Sequence, residues 1–86
     1  MQKLEKNLKV LASRRRLALL KYLKEHREAS VKELAGAIQL SFPATSRHLC
    51  ILFAADIVER EQRKLQMFYR LSPRRTSITE HLLFIL

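Results

Sequence analysis

Apolar residues recur along the first part of the chain at spacings of three and four, which is typical of amphipathic helices. Leu4, Leu8 and Leu11 form the first stripe. Ser13 follows, and a serine hydroxyl at this place can cap the next helix. The apolar face of that second helix consists of Leu17, Leu20, Tyr22 and Leu23. The pattern therefore predicts two helices, the second of which fades over residues 26–29.

The middle of the chain predicts two further helices, over residues 30–39 and 41–54, joined by a tight turn. Ser30 and Glu33 fit a capping box, in which the Ser30 hydroxyl accepts from the Glu33 amide and the Glu33 carboxylate accepts from the Ser30 amide. Ser41 can cap the following helix. The inward positions of that helix are Leu49, Leu52 and Phe53. This arrangement predicts a helix-turn-helix.

The last third of the chain changes to a strand-like pattern. Ile57 and Val58 begin a β-branched stretch, and from residue 65 apolar and polar residues alternate, which predicts a hairpin. The second strand should bury Leu65, Met67, Tyr69 and Leu71, and the tip should consist of Gln62, Arg63 and Lys64. A last helix begins at Ser72 or at Ser77, where a second capping box is possible. The predicted fold is mainly α with a small β-hairpin, a winged helix-turn-helix of order α-α-α-α-β-β-α.

Composition limits the partners of this fold. The 86 residues leave room for one domain, predicted to span residues 1–86. The 17 Lys and Arg exceed the 8 Asp and Glu, and the formal charge of +9 favours a polyanionic partner, most often nucleic acid. A hydrophobic content of 48% is too high for a disordered basic tail. One Cys excludes an internal disulfide.

Targeting signals are not evident in the sequence. No apolar run approaches the roughly 20 residues that a membrane span needs. The first six residues, MQKLEK, contain no uninterrupted apolar stretch of the kind found in a secretory signal. The expected compartment is therefore the cytoplasm, with no membrane partner.

Five segments resemble the ArsR-type winged-helix repressors, in the order in which that family has them. They are residues 8–17 (LKVLASRRRL), 31–35 (VKELA), 40–49 (LSFPATSRHL), 55–58 (ADIV) and 68–71 (FYRL). Each segment alone is a weak match, but the similarity as a whole runs from about Leu4 to Pro73, which is most of the chain. The resemblance implies a small symmetric dimer that binds a partly palindromic operator in duplex DNA and blocks transcription.

The residues themselves also point to DNA. The amino end of the helix over 41–54 is expected to enter the major groove, where Arg47 can bind guanine O6 and N7 with two hydrogen bonds. The apolar run 42–44 replaces polar residues usual in the family, which makes base reading poorer. Hairpin cations should contact phosphates or the adjacent minor groove. The predicted DNA-binding residues are Ser41, Phe42, Pro43, Ala44, Thr45, Ser46 and Arg47 of the helix and Arg60, Arg63 and Lys64 of the hairpin.

The two ends of the chain predict a dimer interface. A chain with a small core rarely leaves the apolar run 82–86 in water. We therefore expect the first and last helices to pair across a twofold axis, as helix-turn-helix dimers do. The predicted interface residues are Leu4, Leu8, Leu11, Ile78, Leu82 and Ile85.

Neither metal nor enzyme chemistry is predicted. Many relatives sense metals through a Cys-Val-Cys, but Ser30 and Lys32 stand at those places here, and Lys does not bind soft metals. A second family site in the last helix is represented only by Glu80 and His81. The one Gly excludes a Gly-rich phosphate loop, and the three His fall on three different elements. We expect no catalytic site, cofactor or metal.

Several residues leave alternatives open. His48 is expected to lie partly buried against the wing. The arginines at 14–16 either flank the DNA backbone or form a cluster that is solvated or paired with a partner. Cys50 is expected to be a small filler, and a redox switch that releases DNA is the alternative. For the whole chain, the alternatives to a DNA-binding regulator are a winged-helix protein-interaction module, with the apolar 42–44 patch as its contact, and an RNA-binding winged helix.

Overall fold

The computed structural model describes residues 2–86, which contain five helices and three strands. The elements are α1 (Gln2–Leu11), α2 (Arg14–His26), β1 (Glu28–Ser30), α3 (Val31–Ile38), α4 (Phe42–Ala54), β2 (Val58–Arg63), β3 (Gln66–Leu71) and α5 (Ser77–Ile85). This order confirms the winged helix-turn-helix, with α3 and α4 as the helix pair and β2 and β3 as the wing. The short strand β1 is an addition that the sequence pattern did not predict.

The three strands form one antiparallel sheet in the order β1-β3-β2. Arg70 of β3 lies opposite Glu28 of β1 on one side and Glu59 of β2 on the other. Strand β1 forms by pairing with β3, some 40 residues further along the chain. Its three residues do not show the alternation of apolar and polar positions by which a strand is predicted from sequence. The sheet therefore ties the root of the wing to the segment that enters α3.

Serine side chains cap three of the helices as predicted. The hydroxyls of Ser13, Ser30 and Ser41 accept from the third amide of their helices, at 3.2, 3.1 and 3.2 Å respectively. The predicted second hydrogen bond of the capping box, from the Ser30 amide to the Glu33 carboxylate, is wrong, because this carboxylate accepts from the Tyr22 hydroxyl instead. The last helix does begin at Ser77, but its cap is the preceding Thr76.

The core lies between the helices and one face of the sheet. A hydrogen bond also connects α5 to α2, because the Lys24 ammonium donates to the Leu83 carbonyl at 2.6 Å. The largest fully buried apolar side chains are Leu19, Leu20, Leu23, Leu34, Leu49, Leu52, Ile57, Val58 and Tyr69. Since α4 contributes Leu49 and Leu52 while the wing contributes Val58 and Tyr69, one core fixes the position of the wing relative to α4.

The tip of the wing differs from its prediction. Strand β2 continues through Arg63, and the turn consists of Lys64 and Leu65. Lys64 adopts a left-handed backbone, with φ of 56°. Leu65 was expected to point inward, but it is 98% exposed because the turn interrupts the alternation one residue before β3 begins. Met67, Tyr69 and Leu71 keep the predicted inward pattern.

Candidate nucleic-acid interface

Helix α4 presents its amino end at the surface. Ser41, Phe42 and Pro43 are exposed there, and Ala44 and Ser46 are partly exposed. Pro43 falls in the first turn, where its missing amide leaves no hydrogen bond unmade. The exposed side chains of this end are therefore mostly apolar or short.

Thr45 does not belong to that surface. Its side chain is fully buried, and its hydroxyl has no hydrogen-bond partner among the residues the structure describes. The prediction that Thr45 contacts DNA is therefore wrong. The signal was available in the sequence, since Thr45 lies four residues before the inward Leu49 and so falls on the same face of the helix.

Arg47 is the exposed cation of α4. Within residues 2–86 its guanidinium takes part in no ion pair and no hydrogen bond. It is therefore free to donate to a ligand without first breaking an internal contact.

His48, next to Arg47, packs against the start of α2. The prediction that it lies against the wing is therefore wrong. The Nη1 of Arg16 lies 3.2 Å from the Nδ1 of His48, and the Nε of Arg16 donates to the Val10 carbonyl at 2.6 Å. Burial and the positive charges of Arg16, Arg15 and Arg47 lower the pKa of His48 below its ordinary value. The imidazole is therefore neutral at pH 7, and its Nδ1 accepts from Arg16.

Protonation of His48 is expected to destabilise the fold. Because its folded pKa lies below the unfolded value of about 6.5, the unfolded chain binds the proton more tightly, and stability falls as the pH drops below that value. Thermal melts at pH 7.5 and 5.5 should show a smaller loss of Tm in His48→Gln than in the parent chain. His81→Gln, at an exposed position, is the control and should keep the parent's pH dependence. An equal loss of Tm in all three chains would contradict this role of His48.

Arg60 crosses the root of the wing toward α4. Its guanidinium lies 3.9 Å from the centroid of the Phe53 ring. It donates to the Tyr69 hydroxyl at 3.4 Å and contacts the Cys50 sulfur at 3.8 Å. Cys50 itself is exposed at this contact. Arg60 thus positions the wing against α4 while remaining exposed itself.

Arg63 is bound to neighbouring carboxylates across the sheet. Its two terminal nitrogens donate to the Glu28 carboxylate at 2.8 and 2.7 Å, and one also reaches Glu61 at 3.1 Å. The hydrogen bonds from Arg63 lower the pKa of Glu28. Arg70 extends the group by donating to Glu59 at 2.7 Å. By contrast, Lys64 at the tip has no ion pair in the part of the chain that the structure describes.

Removal of Glu28 is expected to make Arg63 more available to a polyanion, because Glu61 is then its one carboxylate partner among residues 2–86. Glu28→Gln should steepen the dependence of log K for duplex DNA on log salt by up to about one unit per protomer, because an additional cation of each copy then displaces counterions. Glu25→Gln removes the same charge from an exposed carboxylate that has no ion pair within residues 2–86. Fluorescence anisotropy across a salt series measures both slopes, and identical slopes for the two variants would show that Glu28 does not restrain Arg63.

A further group of cations lies at the start of α2. Arg14 and Arg15 are exposed, and they line an open cleft of about 410 Å³ with Ala18 and Ile38. Neither arginine has a carboxylate partner among residues 2–86. Together with Arg47 they place several unneutralised charges around the amino ends of α2 and α4.

The terminal helices expose apolar side chains elsewhere on the molecule. Leu4 and Leu8 of α1 are about half exposed, and Ile85 of α5 is 66% exposed. Phe84, which the predicted interface omitted, is 83% exposed. Leu11 is already buried in the core of its own chain and offers no surface to a partner, so its assignment to a dimer interface is wrong. Ile78 and Leu82 are partly buried against that core.

Residues 2–86 contain neither a membrane-spanning helix nor a cluster of metal ligands. None of the helices between residues 2 and 86 combines the length and the hydropathy that crossing a membrane requires. Over the same residues, no three His, Cys, Asp or Glu side chains come together as metal ligands would.

The sequence and the fold both match known regulators. A model of the bacterial regulatory proteins of the arsR family matches residues 13–60. Reduced HlyU from Vibrio cholerae is 32% identical, with a TM-score of 0.84 over 99% of this chain and 85% of that one. The transcriptional regulator HlyU from Vibrio vulnificus is 30% identical, with a TM-score of 0.79 over 98% and 83%.

A more distant structure shares the fold alone. The homodimeric winged helix-turn-helix DNA-binding domain Mb0332 from Mycobacterium bovis is 24% identical, with a TM-score of 0.81 over 98% of this chain and 74% of that one. The alignment spans both terminal helices as well as the helix-turn-helix and the wing.

Proposed function

The chain belongs to the arsR family of bacterial regulatory proteins, and from this membership and the exposed face of α4 we propose that it is a transcriptional repressor that binds specific sequences in duplex DNA as a homodimer. The observation that carries the proposal is Arg47. It stands on the exposed side of the second helix of a helix-turn-helix and has no internal partner within residues 2–86.

The amino end of α4 enters the major groove in this proposal. Arg47 donates to guanine O6 and N7, and the hydroxyls of Ser41 and Ser46 donate to phosphates or base edges. Phe42, Pro43 and Ala44 offer only apolar contact, such as that with a thymine methyl group. Few side chains of α4 can therefore recognise bases by hydrogen bonding, and sequence recognition depends largely on Arg47.

Backbone contacts supply most of the affinity. Arg14 and Arg15 at the start of α2, and Lys64 at the wing tip, are exposed cations without carboxylate partners in the described chain. Arg60 is exposed at the root of the wing, and Arg63 joins the contact only where it leaves Glu28 and Glu61. Each phosphate neutralised releases counterions, which makes such binding strongly salt-dependent.

The terminal helices form the dimer contact, so residues 1–86 act as one DNA-binding and dimerising domain. Leu4, Leu8, Phe84 and Ile85 expose apolar surface that a monomer would leave in water. Ile78 and Leu82 complete that surface beside them. A twofold arrangement of two α4 helices matches the symmetry of a palindromic operator. Mb0332, which has the same fold, is homodimeric.

The usual metal-sensing positions are adapted to other roles. Ser30 accepts from the Glu33 amide as the cap of α3, and Lys32 is an exposed ammonium. We therefore place the signal that regulates this protein outside those positions and assign no cofactor to it.

A salt titration tests the proposal against its two alternatives. The probe is a random-sequence DNA duplex of roughly 30 base pairs, long enough for two half-sites one helical turn apart. We expect anisotropy to show binding whose log K falls steeply as log salt rises, and we expect duplex RNA of the same length to compete poorly. Salt-independent or absent binding would favour a protein-interaction module, and better competition by RNA would favour an RNA-binding domain.

A further inference from the structure

The tip of the wing holds an apolar side chain almost entirely in water. Leu65 is 98% exposed, at a two-residue turn where a polar residue would be usual. Neighbouring Lys64 adopts a left-handed backbone in the same turn. The turn therefore projects Leu65 away from the core, although nothing in the packing of the chain requires leucine there.

Leu65 is not an isolated apolar residue, because its surface continues to the start of α4. A cleft of about 130 Å³ lies between the wing tip and α4, and its apolar walls are formed by Val31, Phe42, Leu65 and Met67. Phe42, at the first turn of α4, is itself 56% exposed. An apolar strip thus connects the end of the helix proposed to enter the major groove with the tip of the wing.

The charges around this strip are all positive. Lys32 lines the cleft, and Arg60 lines the adjoining one of about 280 Å³, while no carboxylate of the described residues lines either. Lys64 flanks Leu65 in the turn. Such a surface fits a polyanion that also offers apolar groups, and the grooves of duplex DNA do so through their deoxyribose rings and base edges.

We propose that Leu65 enters the minor groove beside the site bound by α4 and makes the wing selective for A·T or similar base pairs there; this rests on the proposed function. The physical reason is the guanine N2 amino group, which projects into the minor groove as a donor. Leucine cannot accept its hydrogen bond, and burying that donor against an apolar side chain is unfavourable. Apolar side chains of this size are used in minor grooves by other proteins.

Duplexes that differ only in this amino group test the proposal. Poly(dI-dC) presents the same major-groove groups as poly(dG-dC) but lacks the N2 amino group in the minor groove. We expect the protein to bind poly(dI-dC) roughly fivefold more tightly, which corresponds to partial burial of one leucine. In Leu65→Gln the preference should vanish, while the salt slope stays unchanged because no cation is removed. Leu65 is exposed, so the substitution does not threaten the fold.

Lys64→Gln is the matched control in the same turn. It should lower the salt slope by about one unit per protomer and keep the preference for poly(dI-dC). Equal binding of the two polymers by the parent chain, or a preference that persists in Leu65→Gln, would overturn the minor-groove role and indicate that the strip serves another partner, such as an acidic protein. Failure to bind even the random duplex would overturn the proposed function as well, so the two failures are distinguishable.

Discussion

Replacing Leu8 and Ile85 together with glutamate is expected to convert the dimer to monomers and to weaken binding to an operator by about a hundredfold or more. Leu8 is about half exposed and Ile85 is 66% exposed in the single chain, so the fold should tolerate the change. In a dimer joined through α1 and α5, the same change would bury carboxylates in an apolar contact, which is strongly unfavourable. Each monomer would then bind one half-site without the benefit of the other.

Sedimentation equilibrium and operator binding measure the two effects separately. Circular dichroism confirms that the double variant is folded. The control adds two carboxylates at exposed polar positions of the same helices, through Gln2→Glu and His81→Glu, and should remain dimeric. A double variant that still dimerises and still binds the operator as tightly as the parent would place the interface elsewhere on the molecule.

The second large effect is expected at Arg47. Arg47→Gln should weaken binding to the selected operator by roughly thirtyfold or more, because the homodimer loses two bidentate contacts with guanine and each contributes about 1–3 kcal/mol of discrimination. Binding to random duplex should change much less. The substitution should also relax the base preference at one position in each half-site.

Arg14→Gln is the matched control for Arg47, because it removes an exposed arginine that we assign to the phosphate backbone. It should weaken binding to the operator and to random duplex by the same factor and lower the salt slope by about one unit per protomer. Anisotropy with both duplexes distinguishes the two outcomes. A uniform loss in Arg47→Gln would show that Arg47 contacts only phosphate, and the base reading would then have to lie elsewhere.

Local patterns predicted most of this fold. The helices follow from apolar spacing and from three serine caps, each of which forms the expected bond to the third amide of its helix. These features depend on residues within one turn of each other, which is why the sequence alone carries them.

The errors arose where contacts between distant residues decide the outcome. Strand β1 exists because it pairs with β3, and His48 is placed by Arg16, 32 residues away. The sequence showed alternating charges on the wing but not that Glu28, on another strand, binds Arg63. Leu65 was misplaced because the alternation in the sequence continues through a turn that the backbone makes.

The candidate interface was predictable in outline and less so in detail. The family resemblance and the position of the helix pointed to α4 and the wing as the DNA-binding elements. The structure buries Thr45 and Leu11, which the sequence had assigned to the DNA-binding surface and the dimer interface respectively. The excess of positive charge is divided between two kinds of cation: those such as Arg47 and Lys64, which have no carboxylate partner among residues 2–86, and those such as Arg63, which are neutralised within the sheet. Only the cations of the first kind are expected to determine the salt dependence.

Selection of bound duplexes from a random pool tests directly whether two copies of α4 read duplex DNA across a twofold axis. We expect enrichment of a partly palindromic sequence with two half-sites about one helical turn, roughly 10 base pairs, apart. Each half-site should contain a guanine whose enrichment disappears in Arg47→Gln. A pool with no enriched sequence, or with one half-site and no symmetric partner, would contradict the account.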